Sequence, residues 1–487
     1  MPRRDLYIVL FAFALSVAVR VPQLNRPLSA HHELCTALVL IVLHNWYTDG
    51  FAAHHGGPAI SFSGAADRYP PSTEDAPGMR AGVAYYFSHP PLAYDLPYLL
   101  FAITGVAPNA LGLELFNLFF HLTTAFCLYL IVKELLTKDA ASRAPLFSAV
   151  LYLFMPAPLW FHSNAYMSDM FVQNFWVLNL LVSVRMFNRG TVGSWRALLA
   201  FGATLFLTAY TSWPGVFAAM TVSVLALWRW YSSRDLAYVK LLFVTWTAVA
   251  LALGITAWRY LQVVDADALW AYYTGRFAVR GTSGLVDGPW SHLGQLMVNY
   301  RTGYLPVLLV AVALGIVFRK RIMNLPGLGL FVLLAGLPVL LDHAFLLQYA
   351  DHDFAALKGG ILLCGLAAVG LANLKSQSSS ALVVATCLGG VLYFYRTNPL
   401  PGHDDDRYAQ ERDMGLAIAA EARPEEAVFT LGFTPEPQVQ WYAKRTLFRV
   451  DGPLQVRALL GAQGTTTGVV FEQRDGALIH QRISATD

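Results

Sequence analysis

Apolar runs long enough to cross a bilayer recur from the N-terminus to about residue 396, and they constrain the fold more than any other feature. A spanning helix needs roughly 20 mostly apolar residues, because hydrocarbon offers no partner to a free backbone amide. Spans are predicted near residues 5–22, 109–132, 146–162, 169–187, 196–212, 214–231, 239–257, 303–318, 326–342, 356–373 and 380–396. Only 13% of the residues are charged and 56% are hydrophobic, whereas about 25% are charged in an average soluble domain. Mean hydropathy is +0.46. The expected class is an all-α polytopic membrane protein with about eleven transmembrane helices. A net charge of +3 gives no reason to expect a nucleic-acid partner.

Loop charge sets the expected orientation. Arg3 and Arg4, then Lys133, Lys138 and Arg143, then Arg185, Arg189 and Arg196, fall on one side of the predicted spans. Arg229, Arg234 and Lys240, then Arg319, Lys320 and Arg321, then Lys375, follow on the same side. The positive-inside rule makes that side cytoplasmic. The N-terminus is then cytoplasmic and the C-terminus outside, in what is expected to be a bacterial inner membrane. Residues 6–21 follow Met1-Pro2-Arg3-Arg4 like a secretory signal. Arg20 and Pro22 replace a small-residue cleavage site, so the segment is expected to stay as a first span. Leu92 to Gly105 is apolar but short, and crossing there would put the basic loop at Lys133 outside. It is expected to lie in the outer interface, with Leu34 to Trp46 as a second such helix. Three of the four cysteines fall in apolar spans, so no disulfide framework is expected.

This topology gives a transmembrane part, residues 1–397, with outer segments 23–108, 258–302 and 343–355 and a short one around His162, Asn164, Tyr166 and Asp169. Residues 398–487 are richer in charge and are expected to form a small periplasmic α/β domain. A helix is predicted over Met414 to Ala422, with strands at 427–431, 446–450 and 468–472.

Unusual polar residues collect in the outer segments. Glu33 follows His31 and His32 at the start of the predicted interfacial helix. A carboxylate in part-apolar surroundings suits a general base, although an acid there could also merely favour the helix dipole. In His89-Pro90-Pro91 the prolines fix an extended approach to the next helix, holding an imidazole that could donate to a phosphate. Asp169, at the outer end of a span, is costly unless used or paired, and it could instead cap its helix. Arg276, Arg280 and Arg301 could clamp a phosphate or simply reach into the interface. Asp351-His352-Asp353 could hold a divalent cation or remain a solvated loop.

In order and sidedness, these motifs resemble the integral-membrane glycosyltransferases of the GT-C fold, nearest to the protein O-mannosyltransferases and the lipid A aminoarabinose transferases. Pro27-Leu28-Ser29-Ala30-His31-His32-Glu33-Leu34 occupies the place of that family's Asp-Glu pair after the first span. His89-Pro90-Pro91-Leu92 looks like its His/Lys-Pro-Pro-Leu motif, Asp169 like its outer-end aspartate, and Tyr349 to Phe354 like its late outer loop. The resemblance implies an inverting transfer from a polyprenyl-phosphate-linked sugar donor to a lipid, glycan or protein acceptor. It implies a catalytic role for Glu33, His32 or Asp169, and donor-phosphate contacts from His89, Arg276, Arg280, Arg301 and His352. A divalent cation could be held by His31, His352 and Asp353. His32 stands where the family has aspartate, which leaves the base open among Glu33, His32 and Asp169. A lipid-linked-saccharide flippase and a non-catalytic envelope scaffold are the competing readings.

Overall fold

The computed structural model describes all residues except 30, 72–75, 77, 136–141, 282–287, 399–406, 475 and 486–487. Part of the predicted basic loop, including Lys138, lies outside the described residues. Helices α1 (Arg3–Arg20) and α2 (Glu33–Asn45) are followed by a small hairpin, β1 (Met79–Arg80) and β2 (Val83–Ala84). Next come α3 (Leu92–Thr104), α4 (Ala110–Leu135), α5 (Ala144–Phe154), α6 (Pro156–Phe161), α7 (Ser168–Asn188), α8 (Trp195–Ala209) and α9 (Pro214–Ser233). They continue as α10 (Ala237–Tyr260), α11 (Ala266–Arg280), α12 (Pro289–Val317), the short α13 (Arg319–Met323), α14 (Leu328–Phe345), α15 (Gly360–Leu371) and α16 (Ser376–Thr397).

Among the described residues, eight helical segments are long and apolar enough to cross a membrane: α1, α4, α7, α10, α12, α14, α15 with the turn before it, and α16. The other three predicted spans coincide with α5–α6, α8 and α9. The span predicted over 146–162 is broken at Met155, whose backbone is extended (φ −76°, ψ 145°). Pro156 follows it, and a residue before proline is pushed out of the helical region. Helix α12 starts well before the predicted residue 303, so part of the third outer segment is helix.

Helices α7 and α15 are largely enclosed, whereas Phe11, Phe243, Trp246, Leu309, Ile316, Leu388 and Leu392 face outward on α1, α10, α12 and α16. Such an apolar outer surface suits lipid rather than water. The basic loops meet at one end of the bundle. Arg189 makes two hydrogen bonds of 2.7 Å to Glu134, and Arg143 reaches Ser380 at 3.3 Å. The opposite end gathers the outer segments, where Arg259 pairs with Asp95 at 2.7 Å and His292 with Asp351 at 2.8 Å.

Helix α3 is 13 residues long, about 20 Å, too short to cross. Its Leu99, Leu100 and Ile103 are exposed, as an interfacial helix requires. Helix α2 differs from the expectation. Leu40 to Leu43 and Trp46 are fully buried, so this stretch is enclosed by protein rather than exposed as α3 is. The C-terminal region covers it. That region contains α17 (Arg407–Glu421), β3 (Ala427–Leu431), α18 (Pro437–Ala443), β4 (Leu447–Val450), α19 (Pro453–Gln463), β5 (Thr467–Arg474) and β6 (Ala477–Ser484). Its sheet has the order β4-β3-β5-β6, parallel except for β5–β6. Tyr442 accepts from the Leu28 amide at 2.8 Å, Gln438 donates to the Ser29 carbonyl at 3.0 Å, and Arg445 pairs with Asp67 at 2.9 Å.

Candidate active site

Three separated stretches converge at the end of the bundle that carries the outer segments. The first is the turn into α2. His31 and His32 both have positive φ, 49° and 66°, a region costly for residues with a Cβ. The turn is held by Trp160, whose indole donates to the His31 carbonyl at 3.0 Å and whose ring stacks on the His31 imidazole. The second stretch is the approach to α3. Trp213 donates to the Ser88 carbonyl at 3.0 Å, Ser212 Oγ lies 3.1 Å from His89 Nδ1, and the Tyr260 hydroxyl donates to the His89 carbonyl. His89 is thereby fixed from α10 and from the α8–α9 connection. The third stretch is the loop after α14, where Asn299 of α12 donates to the Ala350 and His352 carbonyls at 2.7 and 3.0 Å.

These stretches enclose a cavity of about 260 Å³ whose polar lining includes His32, His89, Asp169, Arg280, Tyr349 and His352. Asp169 Oδ2 lies 3.8 Å from His89 Nε2, and Asp169 Oδ1 lies 3.6 Å from Lys358 Nζ. Lys358 also pairs with Asp342 at 2.7 Å, and all three charged side chains are buried. Burial pushes the His89 imidazole down to about 4, against the pull of Asp169. At neutral pH the ring is therefore uncharged. His352 is also lowered, by burial and then by His32 and Arg280. His31 moves the other way: burial lowers it, but its hydrogen bond and charge contact with Asp353 raise it further.

Arg280 connects this cavity to a second one. Its guanidinium lies over the Tyr349 ring at 4.0 Å, and its Nη1 is buried with no hydrogen-bond partner among the described residues. Arg280 and Tyr349 also line an apolar groove of about 610 Å³ walled by Trp213, Phe217, Trp270, Phe277 and Phe345. Arg276, one turn earlier on α11, lines the same groove and lies over the rings of Tyr86 and Tyr272.

The remaining predicted residues fall elsewhere. Glu33 is fully buried with Oε1 3.0 Å from Arg26, and its Oε2 accepts from the Ser29 amide at 2.9 Å. It does not line the cavity. Arg301 is exposed on α12 and lines neither the cavity nor the groove. His31, His352 and Asp353 do not converge as a cation site. Asp353 is engaged by His31 at 2.6 Å and His32 at 2.9 Å, and no group of three ligand-type side chains is arranged for a metal among the described residues. Asp342 and Lys358 were not singled out from the sequence. Ionisable residues inside apolar runs were the available signal.

No protein-family model matches the chain, and no curated protein sequence matches it. Solved structures do match over nearly its whole length. The ArnT protein of Cupriavidus metallidurans bound to undecaprenyl phosphate superposes with a TM-score of 0.62 at 14% identity, covering 96% of this chain and 93% of that one. The same protein in the apo state gives 0.61 at 15% identity, covering 98% of each chain. The AglB oligosaccharyltransferase of Archaeoglobus fulgidus, in complex with an inhibitory peptide and a dolichol-phosphate, gives 0.58 at 11% identity, covering 96% of this chain and 69% of that one. The chain has the GT-C fold. In this GT-C scaffold the cavity and the groove lie at the bundle end that carries the outer segments.

Proposed function

We propose that this chain moves a sugar from a polyprenyl-phosphate carrier to an acceptor hydroxyl at the outer membrane face, with inversion at the anomeric carbon. The observation that carries the reading is Arg280 at the seam between an apolar groove and a polar cavity. A lipid-phosphate sugar has that sequence of chemistries: a long apolar tail, an anion, then a hydroxyl-rich ring. The phosphates of undecaprenyl and dolichol carriers in the two GT-C neighbours support the same class of donor. Arg280, with Arg276 beside it, would neutralise the phosphate. Neutral His89 would supply a hydrogen bond, and Asp169 would accept one from a sugar or acceptor hydroxyl. The acceptor oxygen attacks the anomeric carbon while the bond to the phosphate oxygen breaks, and the carrier leaves as a polyprenyl phosphate. A guanidinium already placed at that oxygen lowers the barrier. In this reading the basic loops are cytoplasmic and residues 398–487 periplasmic.

The test is to follow the glycosylated polyprenyl-phosphate pool by mass spectrometry in membrane vesicles with and without the protein. Consumption of the glycosylated lipid with release of the bare phosphate supports transfer. Movement of intact glycosylated lipid between leaflets makes the chain a flippase. An unchanged pool leaves the scaffold reading.

A further inference from the structure

The proposed transfer needs a base for the acceptor hydroxyl. Glu33 faces Arg26 and the Ser29 amide instead of the cavity. His32 does line the cavity, and its Nε2 is 2.9 Å from Asp353 Oδ1. The other Asp353 oxygen takes His31 Nε2 at 2.6 Å. One carboxylate is thus bracketed by two neighbouring imidazoles, although 322 residues separate it from His31 in sequence. Of the two rings only His32 lines the cavity. His31 is held on the far side by Trp160 and Asn398.

The strain fits this arrangement. Two consecutive left-handed residues with side chains are costly, and here they turn both imidazoles onto one acid. The Asp353 carboxylate 2.9 Å from Nε2 favours a proton on that nitrogen through charge rather than through an aligned hydrogen bond, which leaves the lone pair of Nδ1 to take a proton. His32 is packed edge-on against the rings of His352 and Phe354, 5.4 and 5.1 Å away, which limits its rotation.

We propose that His32 is the general base of the transfer and that Asp353 is its positioning residue, an acid–imidazole pair in place of a single carboxylate. The assignment rests on the transferase reading. The acceptor O–H proton passes to His32 Nδ1, the oxygen bonds to the anomeric carbon, and the carbon–oxygen bond to phosphate breaks with its electron pair leaving on the phosphate. Asp353 stabilises the imidazolium through the charge contact at Nε2, without taking the proton.

The experiment uses the full chain in vesicles and measures consumption of the glycosylated polyprenyl-phosphate pool, with undecaprenyl phosphate affinity as a separate readout. His32→Gly should slow consumption by about 10²–10⁴-fold, the usual worth of a positioned base, while undecaprenyl phosphate binds as in wild type. Added imidazole should restore part of the rate, because a diffusible base can occupy the vacated volume. Asp353→Asn should slow consumption with unchanged undecaprenyl phosphate affinity, and Asp353→Glu should fall between that variant and wild type. In the His32→Gly background with imidazole, Asp353→Asn should add little, since residues acting as one unit are not additive. Near-normal turnover in His32→Gly, or a loss that imidazole leaves untouched, overturns the assignment while wild-type consumption keeps the transferase reading. No consumption by wild type overturns the transferase reading itself.

Discussion

Replacing Glu33 with glutamine separates stability from chemistry. Among the described residues, two donor groups approach the Glu33 carboxylate, the Arg26 guanidinium as an ion pair at 3.0 Å and the Ser29 amide by a hydrogen bond of 2.9 Å. A carboxylate accepts at both oxygens, but a glutamine amide offers one acceptor and one donor group. In Glu33→Gln one of those two donors therefore faces an N–H. The lost attraction between charges 3.0 Å apart is about 5 kcal/mol at an effective dielectric constant near 20. Removing one partner of a buried pair typically costs about 3–5 kcal/mol. Unfolding entropy for a chain of this length is about 1 kcal/mol per degree, so the apparent Tm should fall by about 3–5 °C. Thermal unfolding in detergent reads this directly, and donor consumption per folded molecule should stay near wild type. An unchanged Tm with turnover reduced by about 100-fold or more would refute the reasoning and return Glu33 to the chemistry.

Three further outcomes follow from the same geometry. His89 titrates near 4 because it is buried, below the ordinary histidine value of about 6.5. Undecaprenyl phosphate affinity should therefore show no His89 titration between about pH 5.5 and 8, and a protonation step near 6.5 in a binding titration, lost in His89→Ala, would contradict the neutral ring. Arg280→Met should weaken undecaprenyl phosphate binding by about 10–100-fold, as expected for a lost charged hydrogen bond; Arg280→Lys should recover only part, and Arg301→Ala should leave the affinity unchanged. A cysteine placed at Ala81 should react with an impermeant thiol reagent from outside, and one at Thr191 only after permeabilisation; labelling of both from one side would break the assigned orientation.

The membrane class, the helical bundle and the polar end of the molecule were legible because they rest on segment length, charge and loop sign. The place of α2 was not. Its apolar sequence fits an interfacial helix as well as a buried one, and only the packing of α18 and the contacts from Gln438 and Tyr442 decide between them. Strand β6 carried no clear alternation and was missed; it gains its place by antiparallel pairing with β5. Arg276, Arg280 and Arg301 were singled out together as candidate phosphate clamps, and the fold places the first two, but not Arg301, on the groove. The choice between His32 and Glu33 was not legible, because neighbouring residues on a helix point about 100° apart. The left-handed turn at His31 and His32 sets which one enters the cavity. Asp353 was read as a metal ligand from its local Asp-His-Asp pattern, but its partners come from the other end of the chain.

The central claim is that a lipid phosphate sits at Arg280 with its tail in the apolar groove. A cryo-EM structure of the full chain with undecaprenyl phosphate tests it most directly. The account predicts phosphate density at about 3 Å from the Arg280 guanidinium and tail density along Trp213, Phe217 and Phe345. Phosphate density elsewhere, with the groove free of lipid, would contradict it.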